Sequence, residues 1–165
     1  MKNADYWIEK LEMLAHPEGG YFKEIYRASE IIDAGSLPNR YSSNHSFSTS
    51  IYFLLKSGQV SKFHRIKSDE IWHFYSGSPI IIYNLDELGN MNEFLLGEDF
   101  DKNQFFQVIM KANNWFAAHP LEDKSFSLVG CTVAPGFEFE DFELASRNEL
   151  LQKYPQHKEI IIQHT

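Results

Sequence analysis

Residues 58–77, GQVSKFHRIKSDEIWHFYSG, decide how this chain is to be read. Two ring-rich apolar segments, 61–66 and 70–75, flank a polar turn, Lys67–Ser68–Asp69, and Gly58 and Gly77 bracket the whole. Side chains alternate along a strand, so His64 and Ile66 share one face of the first segment, opposite Phe63 and Arg65. Glu70, Trp72 and Phe74 share a face of the second, opposite Ile71 and His73. Paired as a hairpin, the two strands would bring His64 and Glu70 within about 5–8 Å on one apolar side. A carboxylate in such company loses hydration and gains proton affinity, and an imidazole is its obvious partner. The plainer reading of the same residues is a structural His–Glu hydrogen bond on a barrel wall.

Similar segments extend outward in both directions. Strands are predicted over 21–27, 49–55, 79–85, 92–97, 105–111, 115–119, 125–133 and 137–144. Turn residues such as Gly89–Asn90, Asn113–Asn114 and Pro135–Gly136 separate many of them, the pattern of a sandwich or barrel. The spacing of Trp7, Ile8, Leu11 and Leu14 predicts a helix over 4–15 with Asn3 as its N-cap, broken by HPEGG at 16–20. Ser146 and Glu149 form a capping-box pattern for a last helix that Pro155 stops. The polar stretch 33–48 reads as a long loop, of the kind that carries function or a subunit contact. The expectation is one all-β domain over 1–165 with a short helix near each terminus.

Composition supports this reading and narrows the functions. Fourteen Phe, eight Tyr and three Trp in 165 residues suit pleated, half-buried surfaces. A formal net charge of −8 with no basic cluster argues against nucleic acid or an anionic membrane as partner. The single cysteine, Cys131, cannot form an intrachain disulfide and reads as a small core residue in a reducing compartment. No segment reads as a signal peptide or membrane helix, so a cytoplasmic location is expected.

The spacing Gly58, five residues, His64, one residue, Ile66, three residues, Glu70, six residues, Gly77 resembles the first motif of the cupin superfamily. The likeness extends through HPEGGYFKEIYR, STSIYFLL and VGCTVAPGFEFEDFELA, which together resemble a small, single-domain, uncharacterised branch found in bacteria and fungi. The resemblance implies a jelly-roll barrel with His64 and Glu70 lining its pocket, usually assembled as a homodimer. Metal-binding cupins use two histidines and a glutamate from the first motif and a histidine from the second. Here Ile66 replaces one histidine, and Ala117, in MKANNWFAAHP, falls where the other is expected. Two ligands of four are too few for tight divalent binding, so no cofactor is expected. The alternative is a metal held by His64, Glu70 and His119, since His119 shares a strand face with Ala117.

Without a metal, a histidine, a carboxylate and aromatic walls are the parts of a general acid–base site. The analogy with metal-free nucleotide-sugar epimerase cupins makes His64 the base and Glu70 its orienting group, with Tyr83 as the opposing acid. Trp72 and Trp115 would offer stacking surface, Arg27 a positive charge for a phosphate or carboxylate, and Asp141 a further polar contact. Each has a plainer reading: Arg27 as an edge ion pair, Trp115 as core, Tyr83 with its hydroxyl in water. The function expected is binding of a small molecule, as a metal-independent isomerase or epimerase of a sugar-like or other carbonyl substrate. A non-catalytic binding or sensing barrel and a metal-dependent enzyme are the alternatives. His16, His45, His157 and His164 lie in polar or turn-like context and carry no functional expectation.

Overall fold

In the computed structural model, which describes residues 2–165, the Tyr6 amide donates to the Asn3 side chain at 2.9 Å and caps helix α1 (Ala4–Lys10). The helix ends earlier than its periodicity predicts. Glu12 takes a left-handed conformation (φ 51°), and β1 (Leu14–Ala15) pairs with the next strand, Leu14 opposite Phe22. Strands then follow closely. They are β2 (Tyr21–Arg27), β3 (Ile31–Ile32), β4 (His45–Ser46), β5 (Thr49–Lys56), β6 (Ser61–Arg65), β7 (Asp69–Gly77) and β8 (Ile80–Leu85). Next come β9 (Met91–Leu96), β10 (Gln104–Phe105), β11 (Gln107–Met110), β12 (Trp115–Pro120), β13 (Phe126–Ala134) and β14 (Glu143–Leu144).

These strands form the jelly-roll that the resemblance implies. One six-stranded sheet runs β1-β2-β5-β13-β7-β11, the facing one β10-β9-β8-β12-β6-β14, and β3 and β4 pair separately. Consecutive strands β6 and β7 lie in opposite sheets. The expected hairpin is therefore replaced by a crossing: His64 and Glu70 approach from facing sheets, not from neighbouring strands. The polar turn 67–69 makes that crossing and is pinned at both ends. The Lys67 carbonyl accepts from Tyr41 and Arg40, and the Ser68 hydroxyl donates to the Pro135 carbonyl at 2.8 Å.

Alternation sorts the apolar side chains into three layers. Phe53 and Leu55 of β5, Trp72 of β7, Ile80 and Ile82 of β8, and Phe116 of β12 meet between the sheets. Leu54 of β5 and Phe126 and Leu128 of β13 face outward and pack with Trp7, Ile8 and Leu11 under α1. On the other outer face Phe63, Leu85, Trp115 and Ala117 lie under α2 (Arg147–Lys153) and α3 (Lys158–Gln163) through Leu150, Tyr154 and Ile161. Pro155 stops α2 as predicted, but the chain turns and adds α3. Ser146 sits at the N-cap of α2 without a side-chain capping hydrogen bond.

The segment 137–144 is not one strand. A 3-10 turn over Phe139–Asp141 breaks the expected alternation and leaves only β14 extended.

Candidate active site: a buried acid–base cluster between the sheets

The turn HPEGG builds half of the site. Gly19 and Gly20 have φ of 114° and 69°, a region side chains disfavour. A Cβ on Gly19 would lie 2.2 Å from the Val60 carbonyl oxygen, and one on Gly20 2.6 Å from that of Leu54. The glycine pair thus lets the turn press against neighbouring backbone. Glu18 is carried inward, and its carbonyl accepts from the Lys62 amide at 2.8 Å, at the start of the strand that carries His64.

Glu18, 6% exposed, is held on both carboxyl oxygens. Oε1 accepts from the Ser61 hydroxyl at 2.7 Å, and Oε2 lies 3.1 Å from His64 Nε2 and 3.3 Å from His16 Nδ1. His64 Nδ1 faces the Lys62 carbonyl at 2.7 Å and must carry a hydrogen to make that bond. The Nε2–Oε2 contact therefore needs one more proton, shared between imidazole and carboxyl. The Glu18 amide donates to His16 Nδ1 at 3.3 Å, so that nitrogen is bare, and a bare nitrogen beside Oε2 favours the proton on the carboxyl. Burial acts in the same sense, pushing Glu18 up to about 6, against the pull of His16 and Ser61. Burial also lowers both histidines, opposed at His64 by Glu70 and the Lys62 carbonyl and at His16 by Glu18.

Glu70, 7% exposed, arrives from the facing sheet. Burial pushes it up to about 7; His64 opposes this and Glu18 reinforces it. Its nearest donors are the weak Cys131 thiol and the Trp72 indole N–H, and the indole reaches no acceptor with hydrogen-bond geometry. Burial and Glu70 together raise the Cys131 thiol well above its ordinary range, so it is a neutral neighbour and not a thiolate.

His16, Glu18, His64, Glu70 and Cys131 line one narrow cavity of about 80 Å³. Phe22 and Phe53 form part of its wall, and the broken segment 137–142 covers it with Phe137, Phe139 and Phe142. Phe139 stacks on His16 with ring centres 6.0 Å apart, and Phe142 lies 5.4 Å from the His64 ring. Arg27 also lines the cavity but is already paired: Nη2 with Glu24 at 2.9 Å and with the Phe137 carbonyl at 3.0 Å, Nη1 with Glu138 at 2.5 Å.

Of the residues expected in the site, His64, Glu70 and Arg27 therefore meet at one cavity, and four do not reach it. Tyr83 faces outward from β8, 5.1 Å from the His164 ring. Trp115 lies on the same outer face beneath Arg65, whose guanidinium is 4.4 Å from the ring centre. Trp72 packs between Phe53 and Phe116 in the inter-sheet core, behind Glu70. Asp141, turned aside by the 3-10 turn, binds His45 at 2.5 Å and Lys67 at 2.7 Å. Conversely, His16 and Glu18 belong to the cluster and were missed. Their signal was the glycine pair, which marks a turn pressed into the protein, where polar side chains must find partners.

The donor set does not fit a cupin metal centre. Ile66 lines the cavity where the first motif calls for a histidine. On β12 the inward residue opposite His64 is Phe116, its ring 4.2 Å away, while Ala117 faces the outer helices. His119, in phase with Ala117, faces outward too and hydrogen-bonds His164 at 2.9 Å. A one-residue change of phase moves a side chain to the other face, so His119 cannot join His64 and Glu70. Among the described residues no three His, Cys, Asp or Glu converge as a metal site.

Known proteins share this fold. The chain is 29% identical over 146 residues to the uncharacterized protein YML079W of Saccharomyces cerevisiae, covering 81% of this chain and 71% of that one. It superposes on the crystal structure of protein SO0799 from Shewanella oneidensis with a TM-score of 0.91 at 38% identity, over 100% of this chain and 98% of the other. A hypothetical protein from Leishmania major gives 0.88 at 28% identity, over 99% and 98%. Oxalate decarboxylase from Bacillus subtilis gives 0.55 at 14% identity, over 92% of this chain and 36% of that one, a likeness of fold alone. The profile of the family Cupin_5, described as Cupin superfamily (DUF985), matches residues 5–145. Because that match spans most of its length and its fold is a jelly-roll, this chain belongs to that family of cupins.

Proposed function

We propose that the cavity binds a small carbonyl compound and moves protons on it without a metal, as an isomerase or epimerase does. The observation that carries this reading is Glu70: a buried carboxyl with a proton affinity near neutrality, short of a strong donor, facing a His64–Glu18 pair that shares a proton. Glu70 takes the acid–base role first assigned to Tyr83, and it stands on the sheet opposite His64. As carboxylate it removes the proton from the carbon beside a carbonyl. The C–H electron pair becomes the new C=C bond, and the carbonyl oxygen takes the proton held between Glu18 and His64, giving an enediol. Glu70 then returns its proton to the neighbouring carbon, and the pair recovers one from the other hydroxyl. The aromatic walls keep water out, so each charge counts for more than it would in solvent.

The test is deuterium incorporation from D₂O, followed by NMR across a panel of small aldoses, ketoses and amino sugars. Exchange at the carbon beside the carbonyl, lost in Glu70→Gln and His64→Ala, is the expected result. A non-catalytic binding barrel is favoured by one feature, the saturation of Glu18 and His64 by each other, Ser61 and the Lys62 carbonyl. Saturable binding that leaves every position of the ligand unexchanged would establish that second reading and end the first.

A further inference from the structure

Charge at the cavity is one-sided. Four carboxyl groups line it, Glu18, Glu24, Glu70 and Glu138, against a single permanent cation. That cation, Arg27, is held by Glu24 and Glu138, so the mouth carries a net negative charge before any ligand arrives. A phosphate or carboxylate entering here would meet two ionised glutamates at the rim, with no free guanidinium to receive it. The role first expected of Arg27, binding an anionic group, is already filled by the protein's own carboxylates. Within the cavity the Glu70 carboxyl, more than nine-tenths buried, points at the open space without a strong donor. A buried acceptor in that state is completed by a ligand that brings hydrogen-bond donors and positive charge. The remaining wall suits the same guest, because phenyl faces attract cations and five phenylalanines line the cavity. A bare metal ion is a poorer match: among the described residues no three His, Cys, Asp or Glu are disposed to hold one.

We infer that the cavity selects small organic cations, its ligand carrying an ammonium group that docks between Glu70 and the phenylalanine wall. Resting on the reading of the cavity as an acid–base site, this narrows its substrates to amine-bearing sugars or related amino-carbonyl compounds. Phosphorylated and carboxylated ones are excluded.

The test uses three probes of similar size and different charge, butylammonium, butan-1-ol and butyrate, titrated at pH 8 into uniformly ¹⁵N-labelled protein. Butylammonium is expected to shift the amides of Glu18, His64, Glu70 and Cys131, with a Kd at least tenfold below that of butanol, and butyrate to leave them in place. Glu70→Gln, which keeps shape and removes charge, is expected to abolish the tenfold preference. Butyrate binding at these amides as tightly as butylammonium would overturn the inference, and so would a preference that survives Glu70→Gln. Because the parent protein alone yields the charge ranking, the result does not depend on the variant folding. If none of the three probes shifts these amides, the inference also fails. Deuterium incorporation is measured independently, so a wrong charge preference with intact exchange sinks the inference and leaves the proton-transfer reading standing.

Discussion

Glu18 and His64 meet at 3.1 Å where a tight turn abuts strand β6, and each has its other polar atom already engaged, Glu18 by Ser61 and His64 by the Lys62 carbonyl. The pair is thereby fixed in orientation, and a single proton is all it can hold between its facing atoms.

Replacing Glu18 separates charge from shape. In Glu18→Gln the amide N–H can donate to His64 Nε2 while its oxygen keeps Ser61, so the fold is expected to survive within about 1 kcal/mol. Deuterium incorporation should nevertheless fall at least a hundredfold, because the shared proton can no longer move. Glu18→Ala leaves Ser61 and His64 unpaired and should cost about 1–3 kcal/mol in urea unfolding. Equal stability of both variants would mean that the hydrogen bonds do not hold the turn.

The pH dependence of stability has a defined sign. Burial raises Glu70 to about 7, above its unfolded value, so its contribution to stability is full below about 4.5 and is lost as pH rises through about 7. Glu18, raised to about 6, acts in the same direction over a narrower window. His16 and His64 are lowered, so they oppose this, favouring the folded state above about 6.5 and losing that support as pH falls. Gln at position 70 cannot ionise, so Glu70→Gln should gain stability over the parent between pH 5 and pH 8, by up to ~3 kcal/mol. Paired urea titrations at the two pH values measure it, and a constant difference would show that Glu70 is not held in its neutral form by burial.

Gly19→Ala should act on the site through the backbone. The new methyl would sit against the Val60 carbonyl oxygen in a left-handed conformation. A loss of at least about 2 kcal/mol follows from strain of this kind. The imidazole ¹⁵N shifts of His64 should change as well, because Glu18 moves with the turn. Unfolding and His64 shifts both unchanged would mean that the turn tolerates a side chain.

Ile66 faces the cavity with His64 and Glu70, so a histidine there restores the one that the first cupin motif calls for. Ile66→His is expected to raise Zn²⁺ affinity at least tenfold by calorimetry, whereas His119→Ala, on the outer face, should leave metal affinity unchanged. No gain in a folded Ile66→His protein would show that His64 and Glu70 do not stand at a separation one ion can bridge.

Strand positions were legible because alternation in 49–55, 61–66, 70–75 and 125–133 reflects two-sided burial directly. Alternation also put His64 and Glu70 on inward faces, yet it could not say that the strands bearing them lie in different sheets. Local pattern fixes a face, whereas sheet membership depends on partners far along the chain, such as β13 beside β7 and β12 beside β6. The same gap sent Tyr83 and His119 to the wrong side, since both sheets are buried on two faces and an outward ring reads like an inward one. Three phenylalanines in 137–142 reach the cavity only because a short 3-10 turn cancels the alternation. His16 and Glu18 were hidden by the habit of reading turns as solvated.

The cluster is assembled from a turn, a strand of one sheet and a strand of the other, and this sets when its groups leave water. No single element of the chain can take these groups out of water, because Glu18, His64 and Glu70 lose solvent only where the turn and both sheets meet. Neutralising their carboxyls therefore favours the closed sandwich over the open chain.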